Sequence, residues 1–212
     1  MMIIMLNVEA ERYRFATGGP SMPVQFYLDY RSPYSYLAQS QLDDVALEIF
    51  PFDVLDVMKR VDNTPTTITC AVKNRYASAD LGRWVARYKI PLAPNPKMRE
   101  IDARRLLRAT LAVTDAGERR KATRALFNAM WGIPAALGTV DEVADVLTQG
   151  GVNAAAIKDQ FDAPELDTAL EEANAAAAER GVFGSPTFFV GKEMFFGNDR
   201  LDFLRAELKG AA

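Results

Sequence analysis

Two serines three residues apart, Ser32 and Ser35, frame Pro33 and Tyr34 directly after a short alternating apolar run, residues 24–29. The run reads as a strand. Ser32-Pro33 reads as a helix start, because proline suits the first helical turn and serine the position before it. A disulfide-exchanging protein would place cysteines at both serine positions. Ser32-x-x-Ser35 can bind a thiol there but cannot form a disulfide with it. The Ser32 hydroxyl has two readings. As a helix N-cap it accepts from a backbone N–H and contributes about 1 kcal/mol. As a functional group it donates to a thiolate, and a hydrogen bond to a charged group contributes roughly 1.5–3 kcal/mol. The positive end of the helix adds to this. Together they lower a thiol pKa by about two units at about 1.4 kcal/mol per unit, which keeps much of a bound thiol anionic near neutral pH. A capping oxygen can still donate its own proton outward, so the two readings do not exclude each other.

Three other groups carry chemistry. Gly184-Ser185-Pro186-Thr187 precedes a strand-like run, and the Ser185–Pro186 bond is predicted cis, with a plain trans turn as the competing reading. A cis bond leaves the Ser185 backbone able to pair with an extended peptide, as in strand addition. Gly197-Asn198-Asp199-Arg200 precedes the last helical segment. A helix start with Asn198 and Asp199 can hold the carboxylate and ammonium of an amino-acid-like group, or Asp199 can be a cap with Arg200 as its partner. Lys59, Asn63 and Lys73 lie in a polar stretch, where each lysine alone also fits a plain surface role.

Composition narrows the options. The chain of 212 residues has no histidine, which removes the commonest general base and the commonest neutral metal ligand, and no metal site is expected. A single cysteine, Cys70, rules out an intramolecular disulfide and fits a reducing, cytoplasmic compartment. The net charge of −3, with no basic stripe, argues against a nucleic-acid partner. The longest apolar runs are far short of a membrane span. Residues 1–22 have a short apolar run followed at once by Glu9, Glu11 and Arg12, unlike a secretory signal. They read as an N-terminal extension that is dispensable to the fold.

The expected elements are a strand at 24–29, a helix over about 33–49, a second strand at 51–57 and an irregular loop at 58–70. An amphipathic helix follows at 71–89, then an extended, proline-rich stretch at 90–96. Helical patterns cover about 101–131, 140–149, 153–159 and 164–180, with Gly181 placed to end the last. Two short strands, 187–190 and 193–196, joined by Gly191-Lys192, and a helix at 199–209 close the chain. This order matches a thioredoxin-like α/β fold with an all-helical insertion between its two halves. The expected division is 1–22 extension, 23–70 with 165–210 as the thioredoxin-like domain, and 71–164 as the insertion.

Several segments resemble the 2-hydroxychromene-2-carboxylate isomerase family, a bacterial branch of the kappa-class glutathione transferases. They are residues 26–37, Phe127-Asn128-Ala129-Met130-Trp131-Gly132, residues 181–187 and Phe195-Phe196-Gly197-Asn198-Asp199-Arg200-Leu201, with Asp80-Leu81-x-Arg83-Trp84 and Ile90-Pro91-Leu92 between them. The likeness runs in order over about residues 23–205. It implies glutathione as cofactor, an aromatic small-molecule substrate and a homodimer. It places Ser32 on the serine that contacts the glutathione sulfur. Lys59 and Asn63 fall on polar residues lining the site. Ser185, before the cis Pro186, falls on the residue that pairs with the cysteinyl backbone, where the family often has valine. Asn198, Asp199 and Arg200 fall on the group that holds the γ-glutamyl end.

The implied activity is a glutathione-dependent cis-trans isomerisation of 2-hydroxychromene-2-carboxylate-type aromatic breakdown intermediates by reversible thiolate addition. A thiolate is both a good nucleophile and an acceptable leaving group, and it needs no histidine base. Apolar residues of the insertion are expected to line the substrate pocket. Two rivals stand beside this reading: a kappa-type transferase that forms stable conjugates, and a non-catalytic thioredoxin-fold glutathione-binding protein in which Ser32 only caps a helix.

Overall fold

The computed structural model describes residues 23–210, so the expectation for the N-terminal extension lies outside the described residues. Four strands form one mixed sheet in the order β2-β1-β3-β4. β1 (Val24–Leu28) and β2 (Leu47–Pro51) run parallel, with Val24 opposite Leu47 and Leu28 opposite Pro51. β3 (Thr187–Val190) is antiparallel to β1, and β4 (Glu193–Phe196) is antiparallel to β3. β1 and β3 are the central strands and are almost wholly buried, as strands covered on both faces must be.

The first half departs from the sequence expectation in two places. α1 (Pro33–Gln39) stops ten residues short of the predicted end, and the next strand is 47–51 rather than 51–57. Ala46, Leu47 and Glu48 are good helix formers, but pairing with β1 overrides that preference. Asp53 then sets the following element: its carboxylate caps the N–H groups of Leu55 and Asp56 and starts α2 (Val54–Arg60) where a strand was expected. The stretch expected to be irregular therefore holds the end of α2 and the short α3 (Thr66–Thr69).

The helical block follows the predicted pattern. It comprises α4 (Ala71–Tyr88), α5 (Ala103–Ala112), α6 (Ala116–Phe127), a π-helical turn at Asn128–Gly132 and α7 (Val140–Gln149), with single 3₁₀ turns at Ala154–Ala156 and Lys158–Gln160. Gly117 lies inside the first turn of α6. α8 (Pro164–Glu179) ends at Arg180, with Gly181 beyond it at φ +88°, the left-handed position glycine takes without steric cost. A 3₁₀ turn at Asn198–Arg200 leads into α9 (Leu201–Gly210).

One continuous apolar core joins the sheet to the insertion. Phe26, Leu28 and Phe188 share it with Leu106, Phe127 and Trp131. A smaller cluster of Tyr27, Phe52, Val57 and Phe189 fills the opposite face of the sheet. The Trp131 indole N–H donates to Tyr30 O at 2.7 Å, so the insertion is bonded to the loop that follows β1.

Candidate active site

The C-terminal end of β1, the N-terminus of α1 and the loop before β3 meet at Ser32. Its backbone is extended (φ −91°, ψ 108°), and its Oγ accepts from the Ser35 N–H at 3.2 Å, the N-cap geometry. The same hydroxyl donates to Ser185 O at 2.9 Å. The oxygen thus caps the helix while the proton is given to the backbone carbonyl of the loop before β3.

Ser185 is held from three sides. Its Oγ accepts from the Asp29 N–H at 2.9 Å and shares a proton with Ser35 Oγ across 2.7 Å. The Ser185–Pro186 peptide is cis, as the sequence predicts. The Ser185 N–H donates to no acceptor among the described residues. Asn63 reaches the same loop, with its Nδ2 donating to Phe183 O at 2.8 Å. Pro186 O accepts from Gly197 N at 3.0 Å, which joins this loop to the segment ahead of α9.

In that segment Asn198 is buried and its carbonyl accepts from the Tyr88 hydroxyl at 2.9 Å. Asp199 and Arg200 are exposed and pair with each other at 2.6 Å. Gly197 has φ +97°, and a Cβ there would lie 2.5 Å from Asp199 Oδ1, so the tight turn needs glycine. The structure thus brings Ser32, Asn63, Ser185, Pro186 and Asn198–Arg200 around the start of α1. Lys59 is exposed at the end of α2 and Lys73 is exposed on α4, and neither bonds to this group.

The sequence reading missed the charges beneath the site. The fully buried Asp29 accepts from Arg31 N, Arg31 Nε and Arg31 Nη2, and its Oδ2 also accepts from Val54 N at 2.8 Å. Arg31 Nη2 bridges on to Asp53, which Arg104 approaches at 3.4 Å from α5. Burial pushes the Asp53 carboxyl up, but Arg31 and the capping N–H groups outweigh it and hold the carboxyl below its ordinary range. Breaking a buried pair of this kind costs about 3–5 kcal/mol. A carboxylate closing an otherwise apolar strand was the available signal for Asp29. Tyr34 and Tyr88 were also missed. The Tyr34 hydroxyl donates to Ala77 O and to Asp80, each at 3.3 Å, and burial together with the Asp80 carboxylate pushes its pKa up to about 12. α4 reaches the site through these polar contacts.

The arrangement has a hydroxyl donor, a free backbone N–H and an exposed pair of opposite charges, with serine at both redox positions. Residues 23–209 match the DSBA-like thioredoxin domain family. A 2-hydroxychromene-2-carboxylate isomerase of Pseudomonas sp. strain C18 is 33% identical over 197 residues, covering 89% of this chain and 91% of that protein. The chain belongs to the 2-hydroxychromene-2-carboxylate isomerase branch of this family. A solved structure of such an isomerase superposes with a TM-score of 0.78 at 31% identity, covering 89% of this chain and 95% of that one. Glutathione S-transferase kappa 1 of Caenorhabditis elegans is 27% identical, covering 85% of this chain and 88% of that protein. The isomerase-like fold, with a helical block between the halves of a thioredoxin-like sheet, is therefore the fold of this protein. No helix among the described residues is long and apolar enough to cross a membrane.

Proposed function

We propose that this chain is a glutathione-dependent isomerase of 2-hydroxychromene-2-carboxylate-type intermediates. The carrying observation is the Ser32 hydroxyl, presented at the helix start with its oxygen 2.9 Å from the Ser185 carbonyl oxygen to which it donates, in a chain one-third identical to a named isomerase. The residues fit glutathione. The unpaired Ser185 N–H suits a cysteinyl carbonyl, Ser32 Oγ–H suits the sulfur, and Asp199 with Arg200 suits the ammonium and carboxylate of the γ-glutamyl end. When bound, glutathione supplies a thiolate able to add to a conjugated double bond and to leave after rotation about it.

The chain's own contribution is orientation and charge stabilisation. Ser32 Oγ keeps the cap to Ser35 N while its proton turns from Ser185 O toward sulfur. A hydrogen bond to an anion exceeds one to a neutral carbonyl, so the exchange is favourable. It lowers the thiol pKa by on the order of one to two units. Ser35 and Asp29 N hold the Ser185 side chain, so the loop is fixed while Ser32 turns.

The kappa transferase likeness favours one rival, a transferase that forms a stable conjugate. Following substrate by ultraviolet absorbance with catalytic glutathione separates the two: an isomerase turns over without consuming thiol, whereas a transferase consumes one thiol per product. Ser32→Ala is expected to lower turnover much more than glutathione affinity, and to weaken the thiolate absorbance of the bound cofactor near 240 nm because its thiol pKa rises by about one to two. An unchanged band and unchanged turnover would leave Ser32 a cap only.

A further inference from the structure

Tyr88 is the last residue of α4, and the left-handed Lys89 that follows it (φ +55°) turns the chain away at once. The Trp84 ring packs against the Tyr88 ring one helical turn earlier, with centroids 5.2 Å apart, and restricts its orientation. The phenol crosses to the segment ahead of α9 and donates to Asn198 O at 2.9 Å, while Asn198 Nδ2 approaches the same hydroxyl at 3.5 Å. Asn198 itself is only 4% exposed. Burial pushes the Tyr88 pKa up, so the phenol stays a donor throughout the neutral range. Two bonds therefore locate the turn that carries Asp199 and Arg200. Gly197 N donates to Pro186 O, which ties the turn to the cis-proline loop, and Tyr88 ties it to the helical block. The side chains of Asp199 and Arg200 bond only to these same two residues among the described residues, so they do not anchor the turn themselves.

We propose that Tyr88 is a positioning residue for specificity: by holding the Asn198 carbonyl it sets the span between the Ser185 N–H and the Asp199–Arg200 pair, and so selects a γ-linked over an α-linked glutamyl peptide. This rests on the reading of the Ser32 site as a glutathione site. In glutathione one carbon bears both the ammonium and the carboxylate, two methylenes away from the amide carbonyl. In the isomer α-glutamyl-cysteinyl-glycine the ammonium lies beside the amide carbonyl and the carboxylate ends the side chain. The atoms and charges are the same, and only the separation of the charges from the cysteinyl unit and from each other differs. An exposed ion pair on an unanchored turn would adapt to either isomer. A turn held at Gly197 and at Asn198 is organised for one span, and the isomer with the wrong span leaves a charge unpaired.

Calorimetric titration of the full chain with reduced glutathione and with reduced α-glutamyl-cysteinyl-glycine tests it. The unaltered chain should favour the γ-linked peptide by about tenfold or more. Tyr88→Phe keeps the ring against Trp84 and removes only the hydroxyl. It should weaken glutathione by about three- to tenfold, the range of one neutral hydrogen bond, and leave the α-linked isomer within about twofold, so the preference narrows. Tyr36→Phe removes a similar bond, from a buried tyrosine to Pro91 O at 2.8 Å, that does not reach the turn. It should leave the preference unchanged whatever it does to the melting temperature. An unchanged preference in Tyr88→Phe, or an equal narrowing in Tyr36→Phe, would overturn the role of Tyr88 and leave the glutathione reading standing. Equal binding of both peptides by the unaltered chain would also overturn the proposal alone. An unaltered chain that binds neither peptide would overturn both the proposal and the glutathione reading.

Discussion

The Ser32 hydroxyl has one proton and two acceptors to serve, Ser185 O now and sulfur in the proposed reaction, while its oxygen stays on the helix cap. This duality was legible in the sequence because both roles depend on a serine at a strand-to-helix junction. Ser185 was legible only as a backbone group; its side chain, locked between Asp29 N and Ser35, depends on contacts some 150 residues apart. Asp29, Arg31 and Asp53 were not read as a unit for the same reason. Each is an ordinary polar residue until the strand end and the α2 N-terminus meet. Asp199 carries a sharper expectation. It is exposed and neutralised by Arg200, so a γ-glutamyl group can exchange partners with both without desolvating a buried charge. Removing one side of a charge-assisted pair costs about 1.5–3 kcal/mol, roughly ten- to a hundredfold in affinity. Asp199→Ala should weaken glutathione by that order and leave cysteinyl-glycine, which lacks the γ-glutamyl group, nearly unchanged. Titration of both ligands decides it: equal losses would mean a damaged fold, and no loss would take Asp199 out of the site.

At the scale of elements, the second half of the chain was read well and the region between α1 and α4 poorly. β3 and β4 are short runs rich in aromatic and β-branched residues separated by Gly191-Lys192, so local preference and tertiary pairing agree. Residues 46–48 favour helix locally and are claimed by β1, and the apolar alternation of 51–57 is interrupted by the Asp53 cap. Two glycines in helical segments show how packing decides such questions. A Cβ on Gly132 would overlap Asn128 Oδ1 and come within 2.8 Å of the Tyr36 hydroxyl, which donates to Pro91 O. Gly82, within α4, meets nothing within 4 Å. Gly132→Ala should destabilise by about 1–3 kcal/mol through overpacking, and Gly82→Ala should stabilise by about 0.5–1 kcal/mol. Urea midpoints moving in opposite directions check both. The ion pairs between elements set an acid limit. Hydrogen bonds from Arg105 and Arg108 hold Asp162 below its ordinary range against a burial effect that raises it, and Asp53 is likewise depressed by Arg31. Native values below the unfolded value of about 3.9 mean that the unfolded chain binds more protons near that pH. The stabilisation is therefore complete above that value and is lost as pH falls through the native values. Melting temperature should be insensitive to these groups between about pH 7 and 5 and fall below about pH 4, and Asp53→Asn should flatten part of that fall. A fall centred near neutral pH would point to groups other than these carboxylates.

Across the whole molecule the sheet and most of the insertion share one core, and α3 with α4 stands apart from it. Neither helix contributes a buried residue, although α4 is the longest helix among those described. Ile68, Val72 and Tyr76, spaced four apart, are 69%, 65% and 65% exposed. Tyr34 of α1 donates to Ala77 O and Tyr88 donates to Asn198 O, so α4 is bonded to the elements around Ser32 while Ile68, Val72 and Tyr76 stay exposed. Large exposed apolar residues gathered on α3 and the start of α4 mark a surface that something covers. We propose that it is the second copy implied by the family resemblance. Burying such a stripe contributes roughly 25 cal/mol for each Å² of apolar surface removed from water. A charge placed in it would be desolvated by the same contact. Val72→Glu with Ile68→Glu should therefore convert a dimer into a monomer in sedimentation velocity, and it should abolish the rise of melting temperature with protein concentration that a dimer shows. Because α4 also borders the Ser32 site, the monomer should lose turnover more than an exposed double substitution elsewhere would. A wild-type chain that sediments as a monomer at micromolar concentration, or a double variant that stays dimeric, would assign the stripe to another partner.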